Sequence, residues 1–175
     1  MEAKSGADES EFHRDDILSL DLSADRKTVI TGQSGKAPSV HVWSVEDQKQ
    51  ICSFLLEKGS RGVSAVSLSP CGRYVACVDM HNDHRITIYN IERKKQLLHT
   101  EGSKDKIFDI AWSKRPEDLR FATISAKEIK FWHPADVTKR LNQKGTFGKA
   151  TMTNFSSLAF DEEGWCYTGG ENGFI

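Results

Sequence analysis

Cysteine and proline are both scarce in this chain of 175 residues, with four of each, and neither sign of charge predominates. The cysteines, Cys52, Cys71, Cys77 and Cys166, form no C-x-x-C pair. That spacing removes a zinc knuckle and a disulfide framework and makes a reducing compartment the default. Basic residues number 24 against 25 acidic, a formal charge of −1, so no global field of the kind that drives nucleic-acid or acidic-membrane binding exists. No apolar stretch approaches a membrane span, and the polar, acidic first ten residues lack the apolar centre of a signal peptide. The expected setting is the cytosol, without nucleic acid or membrane as partner. Sustained 3.6-residue periodicity is also missing, and Val137 to Leu141 offers at most one helical turn.

What is present repeats. Ile17-Leu18-Ser19-Leu20-Asp21-Leu22-Ser23 returns as Val63-Ser64-Ala65-Val66-Ser67-Leu68-Ser69. It returns again as Ile107-Phe108-Asp109-Ile110-Ala111-Trp112-Ser113 and as Phe155-Ser156-Ser157-Leu158-Ala159-Phe160-Asp161, at offsets of 46, 44 and 48 residues. Each copy is followed by a polar turn and a second short strand, of which Val29–Thr31, Val75–Val78, Phe121–Ile124 and Cys166–Thr168 are the candidates. A third strand ends in an aromatic: Trp43, Tyr89 and Trp132. Fourth strands are expected at Ile51–Leu55, at Gln96–His99 and near Thr146-Phe147. Four antiparallel strands every 43 to 48 residues is the pattern of a β-propeller blade.

One such sheet cannot cover both its faces, so the blades must stack, with Leu20, Val66, Ile110 and Leu158 packing between neighbours. Propellers close with about four to eight blades, and the chain holds three blades and part of a fourth. The expectation is an all-β, incomplete propeller, a piece of a longer one, arranged as an open arc. Its repeats lie at about 13–60, 61–105, 106–150 and 151–175, after a disordered segment 1–12.

The endings Val40-His41-Val42-Trp43 and Ile129-Lys130-Phe131-Trp132 and the turn Ser69-Pro70-Cys71-Gly72 resemble WD repeats. Other pieces follow in order: His13-Arg14-Asp15-Asp16-Ile17, Thr31-Gly32-Gln33, Arg61-Gly62-Val63, Asn82-Asp83-His84 and Phe131-Trp132. Then come Asn142-Gln143-Lys144-Gly145-Thr146-Phe147-Gly148-Lys149 and Thr168-Gly169-Gly170-Glu171-Asn172-Gly173. Together they resemble the echinoderm microtubule-associated protein-like family. The resemblance implies a tubulin- or microtubule-binding module at the cytoskeleton. It also implies a hydrogen-bonded set in each blade joining a histidine, a hydroxyl, an aspartate and the tryptophan. His13, Trp43, Asp83, Tyr89, Trp132 and Asn172 fall at such structural positions. Repeats two and three lack the histidine and repeats one and three the acid, so packing is expected to outweigh polar networks.

Chemistry is sparse. Asp79-Met80-His81-Asn82-Asp83-His84 has a metal-like composition but sits in one loop with no distant ligand, and reads as a solvated turn. Gly32-Gln33-Ser34-Gly35-Lys36 lacks the spacing and following helix of a phosphate loop. No serine lies in a G-x-S-x-G elbow, and Cys166 reads as a strand residue. No catalytic residue, cofactor or metal is expected. The candidate partner-binding residues are Arg61, Lys104, Lys106 and Lys149, on loops expected to gather at one face and able to meet an acidic tubulin surface. The alternatives are a generic WD scaffold for another protein complex and a metal-binding or enzymatic propeller built on His81 and His84.

Overall fold

The computed structural model describes residues 12–115, 117–134, 142–147, 153–173 and 175. Within them the chain forms three four-stranded antiparallel sheets and one two-stranded sheet. The first blade comprises β1 (Ile17–Leu22), β2 (Thr28–Gln33), β3 (Ser39–Ser44) and β4 (Gln50–Leu55). The second comprises β5 (Val63–Leu68), β6 (Tyr74–Asp79), β7 (Ile86–Asn90) and β8 (Lys95–Thr100). The third holds β9 (Ile107–Trp112), β10 (Phe121–Ser125), β11 (Glu128–Trp132) and β12 (Gln143–Lys144), and the fourth β13 (Phe155–Phe160) and β14 (Cys166–Gly170). Each sheet is a meander in chain order, and β1, β5, β9 and β13 pack on one another in succession. This is an incomplete WD-type propeller.

Turn chemistry sets where each inner strand stops. Ser23 Oγ accepts from Thr28 N at 2.9 Å, Ser69 Oγ from Tyr74 N at 3.0 Å, and Asp161 Oδ1 from Trp165 N at 2.8 Å. A short polar side chain at that place holds the hairpin closed, and Gly72 and Gly164 supply the positive φ, 69° and 84°, that the turns need. A β-bulge recurs at the start of every inner pair, between Ile17 and Ser19, Val63 and Ala65, Ile107 and Asp109, and Phe155 and Ser157. Bulges add twist at a fixed place, and their recurrence gives each blade the same coil.

The core lies between blades. Ile30, Val40, Val42 and Phe54 from one face of the first blade meet Val66, Leu68, Val75 and Tyr89 of the second. The second meets the third through Ala76, Val78, Ile86 and Ile88 against Ile110, Trp112, Phe121 and Trp132. Ala122, Ile124 and Ile129 then pack with Leu158 and Phe160. The expected packing therefore holds at Val66, Ile110 and Leu158, which are 6%, 2% and 8% exposed, and fails at Leu20, which is 68% exposed. The reason is positional: each blade's leading face is covered by the blade before it, and among the described residues none stands before β1. One fourth strand also differs from expectation. Strand β12 pairs through Gln143 and Lys144, and Phe147 instead stacks on Phe155 at 5.3 Å.

Candidate partner-binding face

The segments between β2 and β3, β4 and β5, β6 and β7, and β8 and β9 lie at one end of the strands and are bonded to one another across blades. Gly35 N donates to Arg61 O at 3.0 Å and Ser34 bridges Gly62. Met80 N donates to Gly62 O at 2.8 Å, and Gly102 N to Asp83 O at 3.3 Å. Lys130 Nζ then reaches Gly102 O at 2.9 Å. The result is a rim stitched from the first blade to the second by main-chain bonds and onward to the third by the Lys130 ammonium. Gly102 must be glycine here, since a Cβ would run into His84 O and the side chains of Ile107 and Ile86.

On this rim Arg61 is exposed and donates from Nη1 to Asn82 Oδ1 at 3.3 Å. Lys106 is exposed, with Nζ 5.5 Å from the Phe108 ring centroid. Lys104 is exposed in the same segment as Lys106. Arg61 and Lys106 both lie close enough to His84 to depress its pKa, after the larger effect of burial, while Asp79 and Asp105 oppose them. The structure thus brings Arg61 and Lys106 together around His84. Lys149 lies outside the described residues.

The cations do not form a basic patch. Residues 56–62, 80–85 and 101–106 hold Lys58, Arg61, Arg85, Lys104 and Lys106, matched by Glu57, Asp83, Glu101, Asp105 and, at the end of β6, Asp79. Several of these charges are already engaged. Arg85 is buried and Nη2 lies 2.6 Å from Asp79 Oδ2, with Nη1 3.2 Å from Glu57 Oε2. His99 Nε2 stands 3.7 Å from the same Glu57 oxygen and its Nδ1 pairs with Thr87 Oγ1 at 3.1 Å. This clamp ties the linker after the first blade to the second, and sequence reasoning missed it. The signal was the acid Asp79 at the end of an otherwise apolar strand, six residues before Arg85.

The metal-like loop is filled by the same contacts. Asp79 Oδ1 accepts from His81 N and Arg85 N, and Asp83, which is exposed, pairs with His81 Nδ1 at 3.2 Å. The buried carboxylate of this blade is therefore Asp79 and not Asp83. Among the described residues no group of three or more His, Cys, Asp or Glu is arranged to hold a metal, and no helix is long and apolar enough to cross a membrane.

The blade networks are richer than packing alone. Trp43 Nε1 donates to Thr31 Oγ1 at 2.8 Å, the Thr31 hydroxyl meets His13 Nε2 at 2.5 Å, and His13 Nδ1 meets Gln33 Oε1 at 2.7 Å. Gln33 thus supplies the acceptor that an aspartate would, and passes the chain on to Ala37 O from its own amide at 2.9 Å. In the third blade Trp132 Nε1 donates to Thr123 Oγ1 at 2.9 Å. In the second, Tyr89 stacks on Phe54 with centroids 4.4 Å apart. Asn172 lies in the turn after β14. His41 joins the first set with its ring tilted against His13, centroids 4.0 Å apart, and stacked on Trp43 at 5.4 Å, bonded to Ser39 and Gln50. Burial, with the His13 ring beside it, pushes the His41 pKa down to about 4. Cys166, packed against the last apolar cluster, has its thiol pushed up to about 11 by burial and is not an activated nucleophile.

Residues 11–175 match the family described as the echinoderm microtubule-associated protein first beta-propeller. The chain belongs to that family. It is 34% identical over 166 residues to the ciliary WD repeat-containing protein ctxp80 of Euplotoides octocarinatus, covering 94% of this chain and 23% of that protein. It is 30% identical over 172 residues to the 77 kDa echinoderm microtubule-associated protein of Strongylocentrotus purpuratus, covering 92% of this chain and 24% of that one. The chain therefore spans about a quarter of the length of these relatives. Among solved structures it superposes on that of U3-55K with a TM-score of 0.70 and 19% identity, over 94% of this chain and 50% of the other. On the RRP9 WD40 repeats the TM-score is 0.66, at 17% identity, over 93% and 48%. At those identities the likeness is one of fold.

Proposed function

We propose that this propeller module is a non-catalytic scaffold that docks protein partners on the stitched rim of loops. The observation that supports this most directly is the rim itself: exposed Arg61, Asn82, Lys104 and Lys106 stand on a backbone frame held by bonds between blades. Pre-ordered loops bind with little ordering cost, and interleaved charges select a partner of matching pattern more than one of bulk opposite charge. The test is to substitute Arg61, Lys104 and Lys106 with glutamate in the protein as expressed in its own cells and compare co-purifying proteins. A control variant carries the same change at Arg26, Lys49 and Arg93, in turns at the opposite end of the strands. Loss of partners from the rim variant alone is expected; equal retention by both sinks the reading.

A second reading names the partner as tubulin or the microtubule, with localisation at the cytoskeleton. Membership of a microtubule-associated propeller family and the sea-urchin relative support it. The charge balance of the rim argues against simple attraction to acidic tails, so binding there would be set by pattern and vary weakly with salt. Co-sedimentation with microtubules and gel filtration with tubulin test this separately. Absence of binding in both removes tubulin and leaves the scaffold reading to the first experiment.

A further inference from the structure

Three of the six histidines of the chain, His81, His84 and His99, stand on or beside the stitched rim, all in the second blade, which has a described blade on either side. His84 is held at a positive φ of 42°, with its amide donating to His81 O at 3.1 Å and its carbonyl oxygen against Gly102. That left-handed conformation is uncommon for a residue with a side chain. Here it keeps the imidazole where the segments 56–62, 80–85 and 101–106 meet. Arg61 and Lys106 act on it from two of those segments, opposed by Asp105 and by Asp79 at the end of β6.

The other two each face a carboxylate. His81 Nδ1 lies 3.2 Å from Asp83 Oδ2, its amide donates to Asp79 Oδ1, and its ring stands against Gly59 of the linker. His99 Nε2 lies 3.7 Å from Glu57 Oε2, an oxygen that Arg85 also meets, and its Nδ1 pairs with Thr87 Oγ1. A proton added to either ring is therefore received beside an acid. A proton on His84 is opposed by burial first and then by Arg61 and Lys106, with Asp79 and Asp105 offsetting part of that cost. While the imidazoles are neutral, the five cations of the rim are matched by five acids. Three protonated rings carry that balance from zero to +3, because no group on the rim gives up a compensating charge.

We infer that the rim is an acid-responsive docking surface: its three imidazoles turn a charge-balanced face cationic as pH falls, and what it then takes up is an acidic polypeptide segment. This rests on the reading of the rim as the docking face. Histidine is the side chain whose charge changes between about pH 5 and 8, a span over which carboxylate, ammonium and guanidinium groups in general keep theirs. A polypeptide fits better than a nucleic acid. Glu57, Asp83, Glu101 and Asp105 lie among the cations and repel a uniform row of phosphates, whereas a peptide can place its acids one by one. The response is one of charge and not of shape, since the loops stay tied by the same bonds between blades.

The experiment measures binding of a synthetic oligo-aspartate peptide to the purified protein by fluorescence anisotropy in low salt, at about pH 7.5 and about pH 5.5, where aspartate stays charged. Far-UV circular dichroism is taken at both. Binding should tighten about tenfold at the lower pH, the worth of three surface charges of ordinary strength. A variant with His81→Gln, His84→Gln and His99→Gln together should lose the gain, and His81→Gln or His99→Gln alone should lose part of it with an unchanged spectrum. Absence of binding, or equal affinity at the two pH values, overturns the inference. So does a gain that survives the triple variant, or an oligonucleotide of equal charge that binds as tightly as the peptide. Because the probe is a peptide and not a cellular partner, the two readings fail separately. A pH-independent rim whose Arg61, Lys104 and Lys106 variant still loses its partners would end this inference and leave the scaffold reading standing.

Discussion

Truncating Leu20, Val66, Ile110 and Leu158 to alanine, one at a time, asks the same question at four equivalent places in the repeat. The chemistry is nearly constant while the surroundings differ, so the differences report burial between blades. Ile110 is 2% exposed among Trp112, Phe121 and Trp132, in a cluster of large rings that cannot close around three missing carbons. Removing three carbons there costs about 2.4 kcal/mol of transfer at ~0.8 kcal/mol per CH₂, and the residual cavity raises the loss to about 3–4 kcal/mol. Leu158, 8% exposed on the two-stranded fourth blade, should lose roughly 2–3 kcal/mol because its neighbourhood can relax. Val66, which sheds two carbons, should lose about 2 kcal/mol.

Leu20, 68% exposed, should lose under about 0.5 kcal/mol. At about 2–4 °C per kcal/mol for a chain of this size, Ile110→Ala lowers the melting temperature by roughly 6–16 °C and Leu20→Ala by under about 2 °C. Urea denaturation followed by tryptophan fluorescence and by far-UV circular dichroism measures all four. A Leu20→Ala loss as large as that of Ile110→Ala in dilute solution would refute the reasoning, because something within the chain would then have to cover the first blade.

Acid should destabilise the first blade through His41. Its folded pKa of about 4 lies below the ordinary value of 6.5, so between those values the unfolded chain holds more protons and stability falls as pH drops. The contribution is fully present above pH ~6.5 and is exhausted below pH ~4; with allowance for solvent screening, about 1 kcal/mol is lost from pH 7 to 5. His41→Gln should flatten the pH dependence of melting over that range, leaving the smaller contribution of the same sign from His13. A slope unchanged by the substitution would show that His41 is already solvated. At the clamp, Asp79→Ala strands the buried Arg85 charge and should cost about 3–5 kcal/mol, while Asp79→Leu with Arg85→Met together should cost far less. Equal losses in the single and double variants, measured by chemical denaturation, would mean that the pair is not electrostatically coupled.

Blade count, strand order and most strand limits were legible because they follow from local signals: period-two alternation, turn residues and a repeat of fixed length. Where the reading missed, the deciding contact lay in another blade. Leu20 carries the same local pattern as Val66, and what separates them is that no blade among the described residues stands before β1. Strand β12 pairs at Gln143 and Lys144, where Lys144 Nζ also reaches Glu128 of β11 at 2.8 Å, a contact that no local propensity reports. The rim was legible as loop topology, but its charge balance was not. Glu57, Glu101 and Asp105 stand in the same segments as Arg61, Lys104 and Lys106, but the pairing of Arg85 with Asp79 and Glu57 is set only by the fold. The His13–Thr31–Trp43 set was recognisable in its members, yet the part played by Gln33 required knowing that an amide oxygen could stand at the acid's place.

The inner strands explain how an arc of blades with so irregular a sequence keeps one pitch. A strict repeat would place the same linking residue in each blade, but position 21 is aspartate, its counterparts at 67 and 111 are serine and alanine, and the link after 111 is made instead by Asp109, two residues earlier. The two positions lie on the same face, two residues apart on a strand of period two, so either side chain can reach an amide of the next inner strand. What must be preserved is therefore an acceptor somewhere on that face and not a residue at one position. Such acceptors are costly to leave unpaired once the blades stack: burial raises the Asp109 pKa, and the two amide bonds from Leu158 and Ile110 oppose that rise. The pairing thereby fixes the register of one inner strand on the next. Apolar contact alone, being non-directional, would let one blade slide along the next. Blades with different apolar fillings, Val66 and Leu68 in one and Ile110 and Trp112 in another, can then share the same spacing.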